Sequence, residues 1–256
     1  MTNRALVFVY GILAYVAFLV AFPSFIGFIG GFAVPTTLDG PSRGPLGTAL
    51  TIDAALLGLF AVQHSVMARK WFKDAWTRIV PPPAERSTYV LSSSLALALL
   101  VWQWRPIGGI VWSVEDAAGR LVLRGLFACG LLLVLLCTFV INHADQLGLR
   151  QISLHLTGKP YPASRFATPG PYKLVRHPLH VGWLLTFWMT PTMTAAHLVF
   201  AIATTAYILT AIQLKERDLV RVHGNDYLAY RSRVPMLLPF RRRRSDEPHL
   251  TSTVTL

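Results

Sequence analysis

GPYKLVRHPLHVGW, residues 170–183, sets an arginine and two imidazoles against the start of an apolar run. Pro178 suits the first turn of a helix, where its missing N–H costs nothing, so this stretch reads as the entry of a membrane segment. Polar side chains at membrane depth are costly, and where they occur they face a bundle interior and mark functional sites. Arg176, His177 and His180 therefore need neighbours from other helices, and the rest of the chain must supply them.

The chain has 256 residues, of which 53% are hydrophobic and 14% charged, with a mean hydropathy of +0.47. A soluble domain carries roughly 25% charged residues, so lipid is the solvent for much of this surface. A span needs about 20 apolar residues. The candidates are 6–31, 48–67, 89–104, 121–141, a short run 179–189 and a longer one 197–214. The last two are joined by TPTMTAA (190–196) and read as a helical hairpin whose first arm need not cross fully. The expected fold is an all-α polytopic membrane bundle of five or six transmembrane helices. The N-terminal run is too long for a secretory signal and lacks a small-residue cleavage site, so it is expected to be retained. Cys129 and Cys137 share one apolar run and read as small packing residues.

A net charge of +12 would suggest nucleic acid in a soluble protein. Here the Lys and Arg residues fall in alternate connections: Arg69 to Arg86, Arg150 to Arg176, and Lys215 onward to the run 241–244. Six crossings place all of them on one side, with both termini cytoplasmic. The expected partners are membrane lipid and a small substrate, with no nucleic acid. Three segments follow: helices of the substrate side (1–145), a cofactor-binding core (146–240) and a basic tail expected to be disordered (241–256).

The same topology gathers His64, Asn142, His143, Asp145, His177, His180 and Glu216 into one layer at the cytoplasmic end. No HExxH pattern or cysteine cluster supports a metal. An arginine, two imidazoles and a carboxylate flanked by aromatics such as Tyr172 suit a zwitterionic cofactor, whose carboxylate seeks Arg or His⁺ and whose ammonium seeks a carboxylate. The absence of a Gly-rich phosphate loop fits a cofactor without phosphates.

The stretch 170–183, with KERDLVRVHGNDYLAYRSRVPMLLP (215–239), resembles the integral-membrane methyltransferases of the isoprenylcysteine carboxyl methyltransferase superfamily. LFAVQHSVMAR (59–69), ERSTYVL (85–91), WQWRPIGG (102–109), INHADQLGLRQ (141–151) and FWMTPTMTAAHLVFA (187–201) are closer to one bacterial branch, the methanethiol S-methyltransferases, and the resemblance covers nearly the whole chain. It implies S-adenosylmethionine as cofactor, a small thiol as substrate, dimethyl sulfide as product and the bacterial cytoplasmic membrane as location. Arg176, His177, Gly182 and Glu216 carry over as cofactor-binding residues and His180 by position, with Tyr172 and Arg217 beside them. Two positions depart from the superfamily pattern. His180 stands where a tyrosine is usual, and Lys215 replaces the first of two glutamates, which leaves the ammonium to Glu216. For a thiol the candidate bases are His64 and the pair His143 and Asp145, because the thiolate is the nucleophile. The alternatives within the superfamily are methylation of a lipid amine or a prenylcysteine carboxylate, and a non-catalytic denitrification-associated membrane protein.

Overall fold

Asn3 opens the first helix, α1 (Arg4–Gly30), by accepting a hydrogen bond from the Ala5 amide. This helix is apolar all round, as a helix surrounded by lipid and protein must be. Its 27 residues reach about 40 Å at 1.5 Å per residue. It ends where Gly31 adopts φ 72°. The computed structural model describes residues 3–162 and 167–239; the basic tail 241–256 lies outside them.

The remaining helices are α2 (Leu46–Met67), α3 (Lys70–Trp76), α4 (Glu85–Gln103), α5 (Ala117–Ile141), the single turn α6 (His143–Gln146), α7 (Leu149–Leu156), α8 (Pro178–Trp188) and α9 (Ala195–Arg233). Four of them, α1, α2, α5 and α9, are long and apolar enough to cross a membrane. The serine-rich α4 lies between α1 and α2, and α8 packs chiefly on α5. The molecule is a polytopic helical membrane protein. Its central core is aromatic: Phe25 and Phe28 of α1, Trp104, Phe187 of α8 and Phe200 of α9 meet with ring centroids 5.2–6.4 Å apart.

Two short strands, too brief to be seen in the sequence pattern, settle which connections share an end. The strand β1 (Ile110–Ser113) pairs antiparallel with β2 (Thr192–Thr194), with Ile110 opposite Thr194 and Ser113 opposite Thr192. This joins the α4–α5 connection to the turn between α8 and α9. The loop after α1 is tied to the same end, because Asp39 contacts His197 Nδ1 at 2.9 Å and accepts from Thr194 Oγ1 at 2.6 Å. The segments 68–84, 142–162, 167–177 and the far part of α9 therefore lie at the opposite end.

The hairpin's first arm is a half-crossing. The 11 residues of α8 make about 16 Å, roughly half the ~30 Å hydrocarbon core. The chain then runs on in non-helical form, and Trp188 Nε1 donates to Thr205 Oγ1 well inside α9. Such backbone is tolerated at depth only when buried in protein, and Met193 of β2 is wholly buried.

α8 can lie close to α5 because Gly182 faces Gly130. A Cβ at either glycine would stand 2.7 Å from the other's carbonyl oxygen. Backbone cannot yield as a flexible side chain can, so overpacking here costs about 1–3 kcal/mol. We expect Gly182→Ala to lower the thermal transition of the detergent-purified protein by several degrees. Gly125→Ala, on an open face of α5, should leave it unchanged or raise it.

Candidate functional site

The site begins with how the chain enters α8. A 3-10 turn at Gly170–Lys173 leads to Arg176 and His177, whose backbone amides donate to the carbonyls of Pro235 and Met236 at 2.8 and 3.1 Å. The segment after α9 thus folds back to hold the residues that lead into α8. The return depends on Gly224, at φ 52° and ψ −125°, a conformation open to glycine and sparsely populated by other residues. It turns α9 so that Glu216 before the bend and Arg231 after it face the same place.

Glu216 sits at the centre. Its Oε1 accepts from Arg176 Nε at 2.7 Å and from His177 Nε2 at 2.9 Å, and Oε2 lies 3.5 Å from Arg231 Nε. Arg176 Nη1 also donates to the carbonyls of Arg231 and Val234. Glu216 and His177 are buried, and a carboxylate withdrawn from water needs such partners to stay charged. Both short bonds fall on Oε1. Oε2 keeps lone pairs for a further donor, which suits the ammonium of an amino-acid cofactor. Arg176 is committed to internal acceptors and positions Glu216.

His177 also lines a cavity of about 220 Å³, together with Arg86, Tyr172, His180 and Lys215, against an apolar floor of Ile141 and Leu179. The His177 and His180 rings meet edge to face at 5.5 Å. Tyr172 lies in front of α8, with its carbonyl held by Tyr230 Oη at 2.6 Å; burial and the nearby Cys137 thiol push its phenol above the ordinary value. Of the remaining cofactor candidates, Gly182 packs against α5 as described, and Arg217 is exposed on α9 and does not line the cavity.

His64 stands on α2 with Nε2 2.8 Å from Tyr89 Oη and Nδ1 3.2 Å from Ser93 Oγ, its ring stacked on Phe60. His143 and Asp145 do not pair. The αL turn at Asn142 (φ 100°) and its cap on the Asp145 amide separate them. His143 Nε2 meets Tyr15 Oη at 3.2 Å, and burial holds its imidazole below the usual value. Asp145 instead binds Arg150 at 2.8 Å and Tyr161 Oη at 3.1 Å, beside a second, polar cavity of about 520 Å³ that Arg86 also borders. Reading along the chain missed Arg86 and Lys215 as lining residues. The signal was present: both are cations just outside apolar runs (89–104 and 197–214), in the very layer where the imidazoles collect.

A half-crossing helix, a buried carboxylate and a cavity at one end of the bundle define a membrane protein with a candidate site inside it. Comparison with known proteins gives the family. The chain is 55% identical to methanethiol S-methyltransferase of Crocosphaera subtropica, covering 93% of each chain. It is 51% identical to methanethiol S-methyltransferase of Mycobacterium tuberculosis, over 94% of this chain and 99% of the relative. Nurim of Mus musculus is 33% identical over 67% of this chain and 68% of its own. No family model and no solved structure matches. The chain belongs to the methanethiol S-methyltransferase family and is a methyltransferase.

The Glu216 cluster has a direct stability test. The Arg176 and Glu216 side chains are 11% and 7% exposed, and removing one partner of a buried pair costs about 3–5 kcal/mol. Arg176→Met should therefore destabilise the purified protein strongly in thermal melts. The double variant Arg176→Met/Glu216→Met should recover much of that loss, since an uncharged pair leaves no stranded carboxylate.

Proposed function

We propose that this protein transfers a methyl group from S-adenosylmethionine to a small thiol, methanethiol foremost, and releases dimethyl sulfide. The observation that carries the reading is the joining of the buried Glu216 cluster to the cationic cavity through one residue, His177, which belongs to both. The names of the relatives at 51–55% identity support the same substrate.

The residues present fit the donor. Glu216 Oε2, held only by the longer contact to Arg231, suits its ammonium, and the ring of Tyr172 on the cavity wall offers a face to a base or a sulfonium. When bound, S-adenosylmethionine supplies an electrophilic methyl group on a positively charged sulfur. The chain's own work is to hold that sulfur in line, exclude water and make the thiolate. A free alkyl thiol is mostly protonated at neutral pH, as cysteine itself is with a pKa of about 8.5. The imidazoles of His180 and, behind it on α2, His64 stand at the right level to relieve it of its proton. Attack of an anion on a cation is favoured in a dry, low-dielectric pocket, where opposite charges attract several-fold more strongly than in water.

A bundle immersed in lipid also suits an apolar substrate and product that partition through the membrane. We place the protein in the bacterial cytoplasmic membrane with both termini on the cytoplasmic side. The basic segments 68–84, 142–162, 167–177 and the end of α9 share one end of the bundle, which supports a cytoplasmic face there by the positive-inside rule.

Headspace gas chromatography of purified protein in nanodiscs tests the reading. With S-adenosylmethionine and methanethiol, dimethyl sulfide should accumulate, and farnesylcysteine or phosphatidylethanolamine in place of the thiol should yield no methylated product. Methylation of either alternative without dimethyl sulfide would overturn the proposal.

A further inference from the structure

The cavity behind His177 carries an imbalance that cofactor binding at Glu216 does not account for. Arg86 enters from α4, His177 and His180 from the start of α8, and Lys215 from α9. No carboxylate lines it. Lys215 and Glu216 are neighbours in sequence, but successive helical residues point about 100° apart, so Glu216 turns to Arg176 and His177 while Lys215 looks into the cavity. Among the described residues neither Arg86 nor Lys215 has a carboxylate within 4.0 Å. The Arg86 guanidinium lies over the Tyr89 ring and donates from Nε to the Gln146 carbonyl at 2.6 Å; the carboxylates nearest it in the fold, Glu85 and Asp145, line the second cavity, on its other side. The remaining ionisable groups near Lys215 and His180 are His64 from α2, Tyr89 from α4 and Tyr172 before α8, with Tyr207 and Glu85 nearer Tyr89. None of those lining the cavity is a carboxylate.

Lys215 is exposed where it lines this cavity and Arg86 is half-buried; cations held close together repel, and an anion bound between them would offset that repulsion. The floor of Ile141 and Leu179 asks that this anion carry a small apolar group. We infer that this cavity is the thiolate subsite, in which Lys215 and Arg86 hold the substrate sulfur as an anion and the His180 ring takes its proton. The inference rests on the thiol reading above and deepens it. The thiol S–H bond breaks, its proton passes to a His180 ring nitrogen and from there to water, and the electron pair stays on sulfur. That pair forms the new S–CH₃ bond as the donor's S⁺–CH₃ bond breaks, with its electrons remaining on the donor sulfur. Anion and cation become two neutral thioethers.

The test separates this role from cofactor binding. At saturating thiol, kcat against pH reports ionisation in the enzyme–substrate complex. In nanodisc-embedded wild-type protein, kcat for methanethiol should be flat through neutral pH, well below the pH at which the free thiol ionises. Lys215→Met should lower kcat at pH 7 at least tenfold and move the rising limb up by at least one pH unit. S-adenosylmethionine affinity by calorimetry should stay within threefold, and Lys215→Arg should restore the profile. A more acidic thiol, trifluoroethanethiol, should lose far less rate in Lys215→Met than methanethiol does.

Loss of cofactor affinity with an unmoved profile would overturn the inference and assign Lys215 to the cofactor's carboxylate. An unchanged rate and profile would overturn it as well. Should Lys215→Met fail to fold, the wild-type profile decides alone: a rising limb coincident with ionisation of the free thiol contradicts a thiolate subsite. Absence of any dimethyl sulfide from the wild-type protein would instead defeat the parent reading, so the two failures are distinct.

Discussion

One carboxylate organises this end of the molecule. Glu216 draws Arg176 and His177 to its Oε1 and keeps Arg231 near its Oε2, and those contacts fix where α8 starts relative to α9. Everything around it serves that convergence. The bend at Gly224 returns the chain so that Arg231 and the carbonyls of Val234, Pro235 and Met236 reach Arg176 and His177. The half-length of α8 sets His177 inside the bundle and clear of the surface. The contact of Gly130 with Gly182 then presses α8 onto α5 and gives the cavity its floor, where Ile141 ends one helix and Leu179 opens the other.

Charge is sorted within a few residues. Glu216 is surrounded by cations, while the neighbouring cavity gathers Arg86, Lys215 and two imidazoles with no carboxylate among its lining residues. A reaction between a cationic donor and an anionic acceptor has this same division: a carboxylate for the donor's ammonium, cations for the thiolate. In water such a field would be screened over about 8 Å. A bundle wrapped in lipid preserves it.

The membrane spans are legible in the sequence because they are long and their signal is compositional, although the run 197–214 covers only the first half of α9 (Ala195–Arg233). The runs 48–67 and 121–141 differ from α2 and α5 by a few residues at one end. The polar layer was also legible, since alternation of basic connections places His64, His177, His180 and Glu216 at one end. Three features were not legible. The pairing of β1 with β2 involves three or four residues a strand and joins segments some eighty positions apart. The separation of His143 from Asp145 follows from one αL turn at Asn142, which no periodicity reports. Most instructive are His180 and Lys215, read separately as departures from the superfamily pattern. Their meeting on one cavity wall is a tertiary fact, visible only once α8 and α9 are placed together.

The account stands on Glu216 as both the organiser of the site and the anchor of the donor's ammonium. Calorimetric titration of S-adenosylmethionine into detergent-purified wild type and Glu216→Gln tests it most directly, provided the variant keeps its thermal transition. A charge-assisted hydrogen bond contributes roughly 1.5–3 kcal/mol, so the glutamine variant should bind at least about tenfold more weakly. Equal affinity in the two proteins would contradict the account and move the cofactor away from Glu216.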